Sequence, residues 1–289
     1  SALALARVEQ ALTDWVPAAA PARLGDAMRY AVLDGGKRLR PLLVLASAEA
    51  VQGNGSAAMR AACAVELIHA YSLVHDDMPC MDNDVLRRGK PTVHVQYGEA
   101  QALLAGDALQ ALAFELLTPE GDAVPPAMQA ALCGLLARAA GAAGMAGGQA
   151  IDLASVGRVL TEAELRAMHR LKTGALLQAA VRMGAACAAP ALPVATRAAL
   201  ADYGAAIGLA FQVVDDILDV TADSVQLGKT AGKDAAADKP TYVSLLGLAE
   251  AQALAARLHA QAHHALDASG LTTAALLRSL ADRVVMREN

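Results

Sequence analysis

The sequence has few of the features of a nucleic-acid-binding or metal–thiolate protein. Only 3% of its 289 residues are aromatic and its formal net charge is −5, so a basic surface with stacking aromatic rings is not expected. Its four cysteines form no C-x-x-C pair, and His69, His75 and His94 do not form the H-E-x-x-H pattern. We therefore expect no nucleic-acid partner, no disulfide framework and no zinc site.

Long hydrophobic runs are also missing. The longest stretch without Asp, Glu, Lys or Arg is Ala123–Ala137, 15 residues that include Pro125 and Pro126. A membrane-spanning helix needs about 20 apolar residues, so no membrane span is predicted in spite of a mean hydropathy of +0.35. Arg7 and Glu9 interrupt the region where a signal peptide has its apolar core, and we expect a cytoplasmic protein.

Helix-forming residues dominate instead, because alanine, leucine, glutamate and arginine are abundant and β-branched runs are short. No long linker or internal repeat is visible, so we predict one all-α domain over residues 1–289. A capping sequence at Thr161–Glu164 marks one helix start. The predicted helices are Ala4–Trp15, Ala22–Leu33, Leu39–Val51, Ser56–His75, Ala100–Leu117, Ala127–Gly148, Glu162–Ala188 and Ala195–Val220, followed by a helical hairpin over Thr241–Leu266 and Leu271–Arg287.

Two of these helices, Ser56–His75 and Ala195–Val220, are apolar on nearly every side, which is typical of the central helices of a bundle. Each of them runs into a cluster of aspartates. The first cluster contains Asp76, Asp77, Asp82 and Asp84, and the second contains Asp215, Asp216 and Asp219.

The spacing of the aspartates indicates a magnesium site. Asp215 and Asp219 are four residues apart on one helix face, where like charges repel unless a cation lies nearby. Pro79 loosens the first helix, so we predict that Asp82 folds back towards Asp76. Carboxylates without thiolate or imidazole partners suit Mg²⁺, which also binds water and substrate phosphates. Solvated acidic helix ends are the alternative, which the presence of two such clusters disfavours.

A metal-bound polyphosphate also needs cations from the protein, and two glycine-containing basic segments supply them, Gly35–Pro41 and Leu86–Pro91. Arginine offers a fork that matches phosphate oxygens, and glycine lets the backbone approach. Solvated surface charge is the alternative, but Arg87 stands only three residues after Asp84. Gly228-Lys229-Thr230 is not a P-loop, because an aspartate stands where its first glycine is required.

In these motifs the sequence resembles the short-chain trans-polyprenyl diphosphate synthases, particularly the bacterial farnesyl diphosphate synthases. The resemblance covers almost the whole chain, and the combination of two aspartate motifs with two basic motifs makes it specific. The matching segments, in order, are Gly36–Pro41, Glu66–Asp84, Arg87–Gly89, Gly106-Asp107, Gly147–Gln149, Lys172–Gly174, Phe211-Gln212, Asp215–Asp219 and Gly228-Lys229.

The resemblance implies an isoprenoid-synthase-type helical bundle around a deep central cavity, and a homodimer. It implies three Mg²⁺ ions, with Mn²⁺ as an alternative, held by Asp76, Asp77, Asp82, Asp215, Asp216 and Asp219. It assigns the allylic diphosphate to Arg87, Lys172, Thr173, Gln212, Lys229 and Lys239, with Thr173 and Gln212 near the developing carbocation. It assigns isopentenyl diphosphate to Lys37, Arg40, His69 and Arg88.

The implied reaction is the head-to-tail condensation of isopentenyl diphosphate with dimethylallyl diphosphate and then with geranyl diphosphate. Metal and cationic side chains neutralise the leaving pyrophosphate, and the double bond held alongside attacks the allylic cation. We assign no protein base, since in the resembled family the proton passes to the departing pyrophosphate. Water must be excluded, and we predict that Thr221–Pro240 closes as a flap.

Tyr71 predicts the product length. It precedes Asp76 by five residues, about 7 Å deeper along a helix, where its ring, next to Ser72, would form the floor of the cavity. In the resembled family a bulky residue here, together with a two-residue enlargement at Pro79-Cys80, accompanies short products. We therefore expect C15 farnesyl diphosphate, with simple core packing of Tyr71 as the alternative.

Other functions stay open at this point. A geranyl or geranylgeranyl diphosphate synthase would differ only in its product. A terpene cyclase shares the fold and one aspartate motif, but it needs no second diphosphate site. A non-catalytic prenyl-diphosphate-binding subunit is disfavoured because both aspartate motifs are intact.

Overall fold

The computed structural model describes residues 2–33, 35–221 and 240–287. This part of the chain is helical, as predicted, and its only strands are a two-residue antiparallel pair, Leu86–Arg87 (β1) and Lys90–Pro91 (β2). The helices before residue 160 are α1 (Ala2–Trp15), α2 (Leu24–Val32, after a 3₁₀ turn at Pro21–Arg23), α3 (Leu39–Ala50), α4 (Gly55–Asp76), α5 (Val93–Tyr97), α6 (Glu99–Leu117), α7 (Pro126–Ala140) and α8 (Met145–Ala154).

The second half contains a π-helical segment and the C-terminal hairpin. The π segment covers Arg170–Gly174 and joins two α-helices without a break. The elements are α9 (Glu162–His169), the π segment, α10 (Ala175–Ala186), α11 (Val194–Thr221), α12 (Tyr242–Leu246), α13 (Leu248–Ala268) and α14 (Ala275–Val285).

The two helices predicted to be central are in the core. Helix α4 begins where the side chain of Asn54 accepts the N–H of Ala57, and 12 of its 22 residues are buried. It packs against α3 and α6, while α11 packs against α10 and α13. Both helices therefore bring their acidic ends out of a continuous apolar core that extends from Val8 to Val284.

Two predicted helices are interrupted in the structure. The stretch predicted as Ala127–Gly148 is two helices, because the chain leaves the helical conformation between Gly141 and Gly144. The stretch predicted as Glu162–Ala188 contains the π segment, where a Cβ on Gly208 of α11 would lie 2.9 Å from the Cα of Gly174. That close helix contact is a tertiary feature that residue propensities do not record.

The C-terminal hairpin is also more divided than predicted. Thr241–Leu266 is a short helix and a long one that meet at Gly247, and the last helix begins at Ala275 rather than at Leu271. The short helix α5 and the β1–β2 pair were not predicted, because each is only a few residues long.

Three stretches are long and apolar enough to cross a membrane by length and composition alone, namely Gly55–Asp76, Glu99–Leu117 and Pro126–Ala154. Of the most apolar window of the first, 67% is buried inside the fold, and the third is divided at Gly141. Apolar character of this kind also belongs to the central helices of a bundle, so these stretches do not show a membrane span.

Candidate active site

The first aspartate motif folds back over the end of α4. The helix ends at Asp76, and the backbone N–H of Asp82 donates to the carbonyl oxygen of Asp76 at 2.8 Å, which confirms the predicted return of the chain. Burial raises the pKa of Asp76 to about 6, against the opposing charge of Lys172 and with a further contribution from Asp82. The crowded carboxylates thus form a place where a bound cation is favourable.

Asp77 and Arg87 lie together in the structure. Asp77 is buried, and its carboxylate accepts from Nε of Arg87 at 2.8 Å and from Nη2 at 2.6 Å. Burial raises the pKa of Asp77, while the hydrogen bond and charge of Arg87 lower it. The β1–β2 pair holds Arg87 in position, so a short structure that was not predicted orients a predicted site residue.

The aspartates of the second motif have different surroundings. Asp215 faces a cavity, whereas Asp216 is buried and accepts from Nε2 of Gln212 at 2.9 Å and from the backbone N–H of Tyr242 at 2.8 Å. Oε1 of the same Gln212 accepts from Oγ1 of Thr173 at 3.3 Å. Asp216 therefore connects α11, the π segment and α12, and its role as a metal ligand stays a prediction.

A basic cavity of about 440 Å³ collects the residues predicted to bind isopentenyl diphosphate. Its walls come from the loop before α3, from the first turn of α3, from α4, from the turn at Arg88, from the π segment and from α11. The predicted residues that line it are Lys37, Arg40, His69, Arg88, Thr173, Gln212 and Asp215. Sequence positions up to 178 residues apart thus meet around one space of a size suited to a small ligand.

The two arginines and the histidine of this cavity differ in their hydrogen bonding and in their charge. Nε of Arg40 is buried and has no hydrogen-bond partner among the described residues. Arg88 donates to the carbonyl oxygen of Gly35 at 2.6 Å and covers Gly36, whose φ of 141° is strained for any residue with a side chain. Burial, followed by the charges of Arg40 and Arg88, holds the pKa of His69 well below its usual range, so its ring is neutral at pH 7.

The neighbouring Arg38 has a different role. It is 4% exposed and donates to Glu9 at 2.6 Å, to Glu66 at 2.7 Å and to the carbonyl oxygen of Val32. These bonds fix the loop that presents Lys37 and the first turn of α3, which carries Arg40. All three basic residues of the motif border the cavity, but Arg38 is buried and uses its donors within the fold, unlike Lys37 and Arg40.

A second cavity of about 380 Å³ adjoins the basic one, since Arg40, His69 and Thr173 line both. Its lining is largely apolar and includes Tyr71 and Ser72, with Asp76 and Lys172 among its polar residues. The structure therefore places the predicted floor residues and one end of the first aspartate motif on the same space. That Tyr71 limits the length of the product stays a prediction.

Several residues of this site were not predicted. Asp152 accepts from Nζ of Lys172 at 2.5 Å and so holds that cation beside the apolar cavity. The side-chain amide atoms of Gln149 are buried without partners among the described residues and line the same cavity. A Cβ on Gly148 would lie 2.1 Å from the backbone nitrogen of Lys172, so only glycine lets α8 approach the π segment. The motif Gly147–Gln149 was the one sequence signal for these contacts.

Lys229, Lys239 and most of the predicted flap Thr221–Pro240 lie outside the described residues.

A larger cavity, of about 670 Å³, lies between α11 and α13 and is lined chiefly by alanines. None of the predicted site residues lines it, so we place the candidate active site at the two smaller cavities.

Comparison with known proteins gives a consistent result. The family profile described as polyprenyl synthetase matches residues 21–272. A probable farnesyl diphosphate synthase of Bradyrhizobium diazoefficiens is 51% identical over 91% of this chain and 80% of its own length. The large subunit 1 of a chloroplastic heterodimeric geranylgeranyl pyrophosphate synthase from Arabidopsis thaliana is 46% identical over 98% of this chain and 77% of its own length.

Solved structures agree with these matches. An FPP/GFPP synthase from Zymomonas mobilis is similar with a TM-score of 0.85 and 41% identity, covering 98% of this chain and 96% of that one. A geranyltransferase from Helicobacter pylori, complexed with magnesium and isoprenyl diphosphate, is similar with a TM-score of 0.84 and 35% identity, covering 98% and 94%. The helical bundle described above is thus the all-α fold of these structures.

Proposed function

Since this chain belongs to the polyprenyl synthetase family and is a trans-prenyl diphosphate synthase, we propose that its product is C15 farnesyl diphosphate. In this proposal isopentenyl diphosphate is added first to dimethylallyl diphosphate and then to geranyl diphosphate. The observation that carries the condensation is the meeting of a basic cavity and a largely apolar cavity at Arg40, His69 and Thr173, and the C15 length rests on Tyr71. One space suits a diphosphate and the other a hydrocarbon chain.

The donor atoms of the two aspartate motifs suit magnesium. They are carboxylate oxygens without a cysteine or histidine among them, and burial, with a smaller contribution from Asp82 and Asp77, raises the pKa of Asp76 to about 6. Asp76, Asp77 and Asp82 would hold the metal on one side and Asp215 and Asp219 on the other, with three ions in all. When bound, Mg²⁺ supplies positive charge that stabilises the pyrophosphate as it leaves.

The side chains of the protein bind and orient the two substrates. Lys37, Arg40 and Arg88 bind the diphosphate of isopentenyl diphosphate, which keeps its double bond beside the allylic carbon. Lys172, oriented by Asp152, adds positive charge near the leaving group. The neutral ring of His69 contributes no further positive charge beside the developing carbocation.

The bond changes balance without a protein base. The allylic C1–O bond breaks and its electron pair leaves with pyrophosphate. The double bond of isopentenyl diphosphate supplies the pair for the new bond between its C4 and the allylic C1. The resulting cation at C3 loses a proton from C2, and the departing pyrophosphate takes that proton. The side-chain oxygens of Thr173 and Gln212, 3.3 Å apart on the wall of the basic cavity, would stabilise the positive charge.

The length of the product is proposed from Tyr71 rather than from the relatives. Farnesyl and geranylgeranyl diphosphate synthases are similarly close to this chain, at 51% and 46% identity, so identity does not decide between C15 and C20. Tyr71 lines the apolar cavity one and a half helical turns before Asp76 and presents a large ring to it. Geranylgeranyl diphosphate is the second candidate product.

The test is a product assay with the purified full chain. Dimethylallyl diphosphate, isopentenyl diphosphate and Mg²⁺ are incubated with the protein, and products are identified by mass spectrometry with and without EDTA. A metal-dependent C15 diphosphate is expected. A C10 or C20 product would contradict the chain-length proposal, and the absence of condensation without an added partner would favour a binding subunit.

The homodimer and the cytoplasmic location stay predictions. Light scattering in solution tests the homodimer.

A further inference from the structure

A cluster of two histidines and an aspartate joins the last two helices, and it belongs to neither of the cavities described above. His259 and His263 are four residues apart on one face of α13, and Asp282 lies opposite them on α14. All three side chains are half-buried or partly exposed, with exposed fractions of 23%, 26% and 43%. None of the three lines the basic or the apolar cavity.

The three ligand-type atoms form a compact triangle. Nε2 of His259 lies 2.7 Å from Oδ1 of Asp282, Nε2 of His263 lies 2.9 Å from the same oxygen, and the two nitrogens are 3.1 Å apart. In a tetrahedral zinc site with bonds of about 2.0–2.1 Å, ligand atoms are separated by about 3.3 Å. Each side of the triangle is thus about 0.2–0.6 Å shorter than in such a site, and small side-chain shifts would open it.

We propose that His259, His263 and Asp282 form a zinc-binding site, with water as the fourth ligand. Two imidazoles and one carboxylate are a donor set that zinc uses with an open position, whereas Mg²⁺ prefers oxygen ligands alone. The site is therefore distinct in chemistry from the aspartate motifs. The sequence predicted no zinc site because neither the spacing of the cysteines nor that of His69, His75 and His94 matches a zinc motif. The proposed site depends instead on a tertiary contact, in which Asp282 of α14 lies against the two histidines of α13.

Arg278 controls the tautomer of His263. Its Nη1 lies 3.3 Å from Nδ1 of His263, and because arginine only donates, Nδ1 accepts and the proton of the neutral ring is on Nε2. Zinc on Nε2 moves that proton to Nδ1, where it opposes the Arg278 donor. Nη2 of Arg278 also donates to Asp267 at 2.5 Å, so the arginine has another partner when zinc binds. Arg278 thus competes with the metal.

Zinc at this position would fasten α14 to α13. Beyond α14, Arg287 lies over the ring of Phe211 at 4.2 Å and donates to its carbonyl oxygen at 2.9 Å. Phe211 lines the basic cavity. A metal that holds α14 in place would therefore stabilise the wall of the active site without touching substrate, and zinc binding itself does not depend on the proposed product.

The test is a zinc titration of the full chain with saturating Mg²⁺ present to occupy the carboxylate sites. Zn²⁺ is supplied in competition with a chromophoric chelator, and one tight site per chain is expected. In His263→Gln and Asp282→Asn that site should weaken by about 100-fold or more, because even outer-shell changes cost about 10–100-fold. His264→Gln is the matched control, since His264 neighbours His263 but lies outside the triangle, and it should bind as the unaltered chain does.

Two further measurements separate metal binding from folding. Arg278→Gln should bind zinc more tightly than the unaltered chain, because the competing donor is removed. Zinc should raise the melting temperature of the unaltered chain and of His264→Gln, but not that of His263→Gln. The proposal is wrong if the unaltered chain takes up no stoichiometric zinc, or if His263→Gln and His264→Gln bind it equally. Far-UV circular dichroism confirms that each variant is folded.

Discussion

The guanidinium of Arg87 and the carboxylate of Asp77 form a two-pronged ion pair, with Nε–Oδ2 at 2.8 Å and Nη2–Oδ1 at 2.6 Å. The carboxylate is buried and the guanidinium is 36% exposed. A predicted metal ligand and a predicted diphosphate contact therefore hold one another, and if Arg87 binds diphosphate as predicted, it does so from a position fixed by Asp77.

Replacing Arg87 by Gln should lower the free energy of unfolding by about 1–3 kcal/mol, because Asp77 is left buried without its charged donor. The lower end of that range applies, since water screens the exposed arginine. Urea denaturation of Arg87→Gln, Asp77→Asn and the double variant gives the coupling energy. The double variant should lose less than the sum of the single losses, and strict additivity would show that the pair contributes nothing.

Replacing Tyr71 by Ala should lengthen the product from C15 towards C20, because removal of the ring extends the apolar cavity. Tyr71→Phe is the matched control, since it keeps the ring and loses only the hydroxyl, and its products should match those of the unaltered chain. Mass spectrometry of the diphosphates measures both. If Tyr71→Ala made only C15, Tyr71 would be a core residue without influence on chain length.

Substitution of the two adjacent aspartates of the second motif should have different effects, chiefly on stability for Asp216 and chiefly on turnover for Asp215. Asp216→Ala leaves the N–H of Tyr242 and the amide of Gln212 without an acceptor, so the free energy of unfolding should fall by about 1–3 kcal/mol. Asp215→Ala removes a carboxylate from the cavity and should reduce turnover on the order of 100-fold or more, with a smaller loss of stability than Asp216→Ala because Asp216 is the buried one of the pair. Thermal melting and Mg²⁺-dependent turnover of both variants test this separation. Equal losses of stability would contradict it.

Acid should destabilise the fold through His169. This histidine is 8% exposed, its ring nitrogens have no hydrogen-bond partners among the described residues, and its ring lies 5.6 Å from that of Tyr242. Burial lowers its pKa from 6.5 to about 4. The unfolded chain thus binds the proton first, so stability is complete above pH 6.5 and is lost as the pH falls towards 4, by up to about 3 kcal/mol.

His169→Phe isolates this effect from that of other titrating groups. Phenylalanine fills a similar volume but takes up no proton, so its free energy of unfolding should fall less between pH 7 and pH 4.5 than that of the unaltered chain. Urea denaturation at several pH values measures the difference. Parallel pH curves for the two proteins would show that His169 does not titrate on unfolding.

Much of the fold could be predicted because it depends on local composition. The helix-forming residues, the capping box at Thr161 and the apolar helices around the aspartates are properties of neighbouring positions, and the structure confirms them. The π segment and the division at Gly141 could not be predicted, because alanine-rich sequence allows a continuous helix and only packing against other helices interrupts it.

The same division applies to the candidate site. Sequence alone determined which residue types are present and in what spacing, and so it predicted carboxylates for magnesium, cations for diphosphate and a return of Asp82 to Asp76. Only the tertiary structure decided which of these side chains line the same cavity and which form hydrogen bonds and ion pairs that hold the helices together. Arg38, Asp216 and Asp152 acquire their partners from residues 28, 26 and 20 positions away. Burial and long-range hydrogen bonds, which depend on how helices pack, distinguish a side chain that lines the cavity from an identical one that holds the helices together.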